Sequence, residues 1–340
     1  MCRLNYLQHD SALPYSSRLL QSLISVFQNL DIRNDPYILK LRDEPWNRAT
    51  LDKTLLTGKT YCSEQLKKFT GKAIHIYEEL GLWAADYFIV ETIQELKKML
   101  NSQKGLFIGW DNDEKAYLLS KLSHVAIAGT TIDPTISDSS QISAKFDCLI
   151  SFLTRDEQRE VSGLVFVRQR ATVSVMSKLL SVHPKTRNRF RCAPYVGLSN
   201  SANRKNNIGE LLDLRAQGGT LDDFREGRKN LVITTDVLEE GIDITACHLV
   251  ICFDKPPNLK SFVQRRGRAR QERSTFAIML ASDDRSGGIE SWQQLEDDMV
   301  RAYQSDDRVR QQISNLESIE ENDMQRFRVE STGQVSPNSL

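Results

Sequence analysis

NLVITTDVLEEGIDITACHLVICFDKPPNLKSFVQRRGRARQERSTFAIML, residues 230–280, carries three short apolar runs: Leu231–Val237, Leu249–Asp254 and Thr275–Leu280. Each is β-branched or aromatic and bounded by turn formers or charge, the pattern of a buried strand. Between the second and third runs lies QRRGRAR, Gln264 to Arg270, with four arginines in seven residues. These arginines come after an apparent helix start, Asn258-Leu-Lys-Ser-Phe-Val, and precede a core strand. A rigid scaffold on both sides is what guanidinium groups need to meet a phosphate in a set geometry.

Upstream, the same alternation continues. Ser162-Gly-Leu-Val-Phe-Val-Arg reads as a strand that runs into polar Arg168-Gln169-Arg170. Val173, Met176, Leu179 and Leu180 then mark a helix, succeeded by Tyr195-Val-Gly-Leu, by Leu221–Phe224, and by the strand at Leu231. Strand and helix in turn indicate parallel α/β units. Open parallel sheets bind ligands at the carboxyl ends of their strands, and Arg168 and Thr234–Asp236 lie at or near such ends. Residues 1 to about 125 read differently. Leu19, Leu20, Leu23, Ile24, Phe27 and Leu30 recur at helical steps, as do Leu66, Phe69, Ile74, Tyr77 and Leu80, then Phe88, Ile89, Ile93, Leu96 and Leu100. No strand signal stands out there. GTTIDPTISDSS, residues 129–140, reads as a linker, and Ile142, Phe146, Leu149, Ile150 and Leu153 as an amphipathic helix. Beyond Ser282–Gly288, Ile289, Trp292, Leu295, Met299, Ala302 and Tyr303 mark one helix, and Val309, Ile313 and Leu316 another.

Composition narrows the classes. The 340 residues suffice for two domains. Lys+Arg and Asp+Glu balance at 45 each, so any attraction for nucleic acid is local, at QRRGRAR, Arg168, Arg170 and Arg187–Arg191. The six cysteines include no CxxC pair and read as buried free thiols of a reducing compartment. The five histidines show no metal-ligand spacing. No apolar run approaches the roughly 18 residues of a membrane span, and MCRLNYLQHD lacks a signal pattern; the expectation is a soluble cytoplasmic or nuclear protein without membrane contact. Thr57-Gly58-Lys59-Thr60 ends like a phosphate-binding P-loop, but Lys53 stands where its first glycine belongs and no strand precedes it. Without strand, glycine turn and helix the backbone amides form no anion cradle, so a polar loop between helices is expected.

TTDVLEEGIDI, then a strand, a Pro-containing loop and QRRGRAR, resembles motifs V and VI of superfamily 2 helicases. The wording is closest to the helicase module of fungal Dicer-like proteins, with the cytosolic viral-RNA sensor helicases next. GLVFVRQR is similar to motif IV and YVGLSN to a nearby RNA-backbone motif. TYCSEQLKKFTGKAIHIYEELGLWAADYFI resembles the helical insertion that grips duplex RNA in those families, and residues 289–316 their paired pincer helices. The resemblance implies a RecA-like C-terminal helicase lobe with four parts: an all-α insertion at 1–128, the lobe at 129–285, pincer-like helices at 286–330 and a frayed tail at 331–340.

The resemblance also implies roles. Arg268 and Arg270 would neutralise a departing γ-phosphate, with Gln264 and Gly267 beside it and Gly241 and Asp243 on the nucleotide side. Thr234 and Thr235, through hydroxyl and amide donors, and Arg168 and Gly197 would touch the RNA backbone. Arg265 and Arg266 are secondary candidates for the same phosphate role, and Glu239 and Glu240 read as solvated or structural. The cofactor would be ATP with Mg²⁺, and the partners double-stranded RNA and a first RecA-like lobe in cis or in trans. No complete G-x-x-x-x-G-K-[ST] and no Asp-Glu-x-His or Asp-Glu-Cys-His box occurs in these residues. The function implied is therefore half of an ATP-dependent helicase module of a Dicer-like endoribonuclease in RNA silencing and antiviral defence, inactive alone. Two alternatives stay open: a non-enzymatic RNA-binding or regulatory module acting in trans, and a DNA-directed relative with the same insertion.

Overall fold

Among the described residues, six short strands meet in one parallel sheet. They are β1 (Cys2–Tyr6), β2 (Gly163–Phe166), β3 (Cys192–Tyr195), β4 (Leu231–Thr234), β5 (Leu249–Cys252) and β6 (Thr275–Ala281), in spatial order β1-β6-β5-β2-β4-β3. Every neighbouring pair is parallel. In the computed structural model the described residues are 2–7, 15–101, 111–125, 139–155, 161–197, 207–212, 220–239, 247–284 and 289–305. The chain divides into two compact units, Met1–Asp284 and Arg285–Leu340.

The three central strands are buried along their whole length. This explains why their sequences are unbroken apolar runs: helices on both faces of a parallel sheet leave no polar side. The edges are different. β3 contains Pro194, which lacks a ladder donor and is tolerated because only one side of this strand pairs. The strand therefore begins at Cys192, before the Tyr195 that the sequence singles out. At the other edge stands β1, which corrects the expectation of an all-helical segment from residue 1. Cys2, Leu4 and Tyr6 are half-buried and Arg3 and Asn5 exposed, and Tyr6 lies in register with Ala281 of β6. Five residues with two polar ones are too few to outweigh the helical periodicity after them, although their alternation is a strand's.

Between β1 and β2 the chain builds helices: α1 (Arg18–Gln28), α2 (Pro36–Asp43), α3 (Arg48–Thr57), α4 (Tyr61–Leu80), α5 (Leu82–Asn101), α6 (Asn112–Leu122) and α7 (Ala144–Leu153). Several of their starts are capped by side chains that satisfy otherwise unpaired amides: Ser17, Asp35, Asp111 and Ser143 each accept from a backbone N–H of the first turn. The P-loop-like Thr57–Thr60 segment is one of these junctions. Gly58 ends α3 in the left-handed conformation. Thr60 forms a capping box with Ser63, and its hydroxyl also donates to the buried Asp35 carboxylate at 2.6 Å. The threonine is occupied in tying the start of α4 to the start of α2.

After β2 come α8 (Arg170–Val182), α9 (Thr220–Arg225) and α10 (Leu259–Arg266), each feeding the next strand. α4 is the spine of the helical part. It packs against α1, α5, α6, α7 and α8, and its Leu66, Phe69, Ala73, Ile76 and Leu80 share one core with Val165, Ile233, Ile251 and Met279 of the sheet. The second unit contains α11 (Ile289–Ser305), as the sequence pattern predicts. The helix expected at Val309–Leu316 and the tail at 331–340, like Gly241 and Asp243, lie outside the described residues.

The turn between α4 and α5 depends on Gly81. Its φ is +102°, and a Cβ there would stand 2.5 Å from the backbone of Ile142 and Ser143 at the start of α7. Strain and clash both oppose any side chain. Gly81→Ala is expected to lose on the order of 3 kcal/mol of stability, read as a lower urea midpoint. An unchanged midpoint would show that the α4–α7 contact yields easily.

Candidate nucleotide and nucleic-acid edge

The connections out of β2 and β5 leave in opposite directions. From β2 the chain goes through α8 to the β3 edge, and from β5 through α10 toward β6. Such a divergence opens a crevice at the carboxyl ends of the two strands, the usual ligand position of an open α/β sheet. Arg168 stands there, exposed, two residues past β2. Its backbone N–H donates to Asp254 Oδ2 at 2.6 Å, across the divergence. Nearby, Arg170 Nη2 donates to the Gly197 carbonyl at 2.8 Å and joins the ends of β2 and β3.

Behind this edge sits a buried charge cluster. Lys145 of α7 is 5% exposed. Its Nζ lies 2.8 Å from Asp254 Oδ1 and also pairs with Glu79 of α4. The ammonium lies over the Phe253 ring, 4.2 Å from its centre. Burial alone would lower the Lys145 pKa, but Asp254 and Glu79 outweigh it and raise it. Burial pushes Asp254 upward, yet Lys145 and the Arg168 amide hold its carboxyl below the usual range. Glu79 goes the other way: burial raises it more than Lys145 lowers it. His75, one turn earlier on α4, is pushed down chiefly by burial, with Asp254 acting against Lys145 and Arg168.

The arginine-rich segment forms the last turn of α10 and the residues just beyond it. Asn258 caps the helix by accepting from Ser261 N at 2.9 Å. Gln264 is half-buried, Gly267 is exposed at the helix end, Arg268 is half-buried and Arg270 is exposed. Arg268 Nη2 donates to the Glu239 carbonyl at 3.0 Å, and Arg270 Nε to the Gly267 carbonyl at 2.7 Å. One turn thus gathers Gln264, Gly267, Arg268 and Arg270. Thr234 and Thr235 are 0% and 6% exposed, and the Thr234 hydroxyl is turned to the neighbouring backbone. The expected hydroxyl contact with RNA is therefore not offered by Thr234 in this arrangement.

Arg265, a secondary phosphate candidate in the sequence, is the most buried of the four. Its side chain is 4% exposed, and Nε donates to Glu239 Oε1 at 2.7 Å. Its guanidinium carbon lies 4.8 Å from the centre of the Phe166 ring, and Nη1 reaches the Asp254 carbonyl at 3.4 Å. Ser261 Oγ donates to the other Glu239 oxygen at 3.0 Å. Glu239 is thus structural, one of the two readings open for it, and its carboxylate is held inside. The signal available in sequence was the i,i+3 and i,i+4 spacing that puts Ser261, Phe262 and Arg265 on the helix face turned to the core.

Comparison with known proteins finds relatives of this chain. Residues 144–271 match the helicase conserved C-terminal domain. Over 94% of its length the chain is 53% identical to Dicer-like protein 2 of Neosartorya fischeri and 52% identical to that of Aspergillus fumigatus. Over 95% it is 50% identical to Dicer-like protein 2-1 of Aspergillus niger. The chain spans 23% of the length of each of these relatives. Among solved structures, the C-terminal domain of the DEAD-box protein Dbp5 aligns with 45% of this chain and 79% of its own, at 24% identity and a TM-score of 0.34. The fold assignment rests on the sheet and on the domain match. Among the described residues no helix is long and apolar enough to cross a membrane.

Neighbouring arginines here differ in their environment, and stability separates them. Breaking a buried ion pair by removing one partner costs about 3–5 kcal/mol, whereas an exposed arginine contributes little. Arg265→Ala should lower unfolding stability by that amount and Arg270→Ala by less than about 0.5 kcal/mol. Equal losses in a denaturant titration would mean that the Glu239–Arg265 pair does not hold the turn.

Proposed function

We propose that this chain, which is similar to fungal Dicer-like proteins over nearly all its length and to the helicase conserved C-terminal domain at residues 144–271, is the C-terminal half of an ATP-dependent helicase module acting on double-stranded RNA, in RNA silencing and antiviral defence. The observation that carries the reading is the turn after α10. It turns the Arg270 guanidinium to the Gly267 carbonyl and the Arg268 guanidinium to the Glu239 carbonyl, at the end of a helix that is itself locked to the sheet by Arg265 and Glu239.

That donor set suits a nucleotide phosphate. Two guanidinium groups supply fixed positive charge, and a glycine leaves room for close approach. Bound ATP would supply the phosphoryl group whose charge Arg268 and Arg270 neutralise, with Gln264 beside them and Gly241 and Asp243 on the nucleotide side; such an arginine is worth ~10³–10⁵ in rate. Among the described residues no group of three or more His, Cys, Asp or Glu side chains is placed to hold a metal ion, and the reading assigns Mg²⁺ and the attacking water to a first helicase lobe, in cis or in trans. RNA would lie along the strand ends, met by Arg168 and the Gly197 turn. Backbone contacts of this kind position a helix without reading its sequence. The same reading places the protein in the cytoplasm or nucleus.

The purified 340-residue chain is expected to bind duplex RNA, with log affinity falling linearly as log salt rises, and to show no appreciable ATPase. Arg168→Ala should weaken RNA binding and make the salt slope about one unit shallower. RNA-stimulated hydrolysis by this chain alone, lost on Arg268→Ala, would overturn the half-site assignment. Equal affinity for duplex DNA would redirect the reading to a DNA-directed helicase, since A-form geometry and 2′-hydroxyls distinguish RNA.

A further inference from the structure

Asp254 joins three parts of the fold. Its Oδ2 accepts the Arg168 amide at 2.6 Å, its Oδ1 lies 2.8 Å from Lys145 Nζ, and its carbonyl accepts from Arg265 Nη1 at 3.4 Å. Lys145 continues to Glu79 of α4, and Arg265 continues to Glu239, whose carbonyl accepts from Arg268. The end of β5 is thus the junction of the β2 edge, the helical insertion and the motif VI turn. Arg168 itself is exposed and stands where the β2 ladder ends, the last ladder-like bond being Val167 N–H to the Thr234 carbonyl at 2.8 Å. Beyond that bond, the Asp254 carboxylate holds the peptide from which Arg168 projects.

We propose that Asp254 is a positioning residue: it fixes the Arg168 backbone so that the guanidinium meets a duplex-RNA phosphate, and it joins that contact to the helical insertion through Lys145 and Glu79. The proposal rests on the reading in which Arg168 meets RNA. An exposed arginine on a free peptide samples many directions, and a bidentate phosphate contact accepts few. The carboxylate is required by its two partners. Lys145 Nζ and the Arg168 N–H are both donors, so both Asp254 oxygens must accept. Asparagine has the same shape but accepts through one atom only, and its amide would face a donor on the other side.

The sign of the effect separates positioning from charge. Asp254→Asn removes a negative charge, which by field alone should tighten binding to RNA. Positioning demands the opposite. In titration of the 340-residue chain with a blunt RNA duplex at low salt, Asp254→Asn is expected to weaken binding about 3- to 10-fold, within the worth of one charge-assisted contact. Arg168→Ala should weaken it at least as much, and the double variant no further, because both act on one contact. Wild-type or tighter binding by Asp254→Asn, with Arg168→Ala still weakened, overturns the positioning role and leaves the RNA reading standing. Additive losses in the double variant also overturn it, by showing that Asp254 acts elsewhere. Unchanged binding by Arg168→Ala removes the RNA reading of that residue and the proposal with it. If circular dichroism shows Asp254→Asn unfolded, Asp254→Glu takes its place. It keeps the charge and the pairing chemistry but moves the carboxylate by one methylene from the Arg168 amide, and the same weakening and the same non-additivity with Arg168→Ala are expected.

Discussion

Lys145 is buried between two carboxylates from different parts of the chain, and the arrangement of the first unit depends on that. An isolated ammonium so far from water would be costly or would lose its proton. Here Asp254 and Glu79 keep it charged, and Phe253 and Tyr6 present ring faces to it. Each partner brings an element: α4 carries Glu79, α7 carries Lys145 and the end of β5 carries Asp254. The charge cluster therefore fixes how α4 and α7 meet the sheet at its carboxyl edge, while the apolar core shared by α4 and the central strands supplies the bulk of the adhesion.

A second buried pair, Arg265 with Glu239, does the same for the arginine-rich turn. It removes one of four neighbouring guanidinium groups from solvent and anchors the helix that presents the others. A flexible segment with four exposed arginines would bind phosphate nonspecifically and lose ordering entropy each time. Anchoring one of them shortens the reach of the rest and gives them a direction. The two clusters touch at Asp254, whose side chain belongs to one and whose carbonyl belongs to the other.

Much of this is legible in sequence. The β2, β4, β5 and β6 strands stand out because strands buried on both faces are uninterrupted apolar runs, and the helices α1, α4, α5, α7 and α8 because their apolar residues keep a helical step. Thr57–Thr60 reads as a junction between helices, and is one, since a cradle needs a strand before it. β1 escapes sequence reading because five residues with an alternating pattern carry little weight at an edge, and the start of β3 because Pro194 reads as a break. The motif leads one to expect a Thr234 hydroxyl offered to RNA, but a threonine ending a central strand points into the protein or away from it according to a pleat that the motif does not reveal.

By itself the sequence determined the parallel α/β class, the placement of the arginine cluster after a helix start, and the family of helicases to which the motifs are similar. Those are local properties, set by runs and spacings of a few residues. Only the tertiary structure decided what each charge does. Arg265 meets Glu239 across 26 positions of chain, Glu79 meets Lys145 across 66, and Lys145 meets Asp254 across 109. A charged residue reads alike in sequence whether it is solvated or paired. The cost of burying it is met only by a partner that folding brings from far away, so its role is fixed when the sheet closes on the helices.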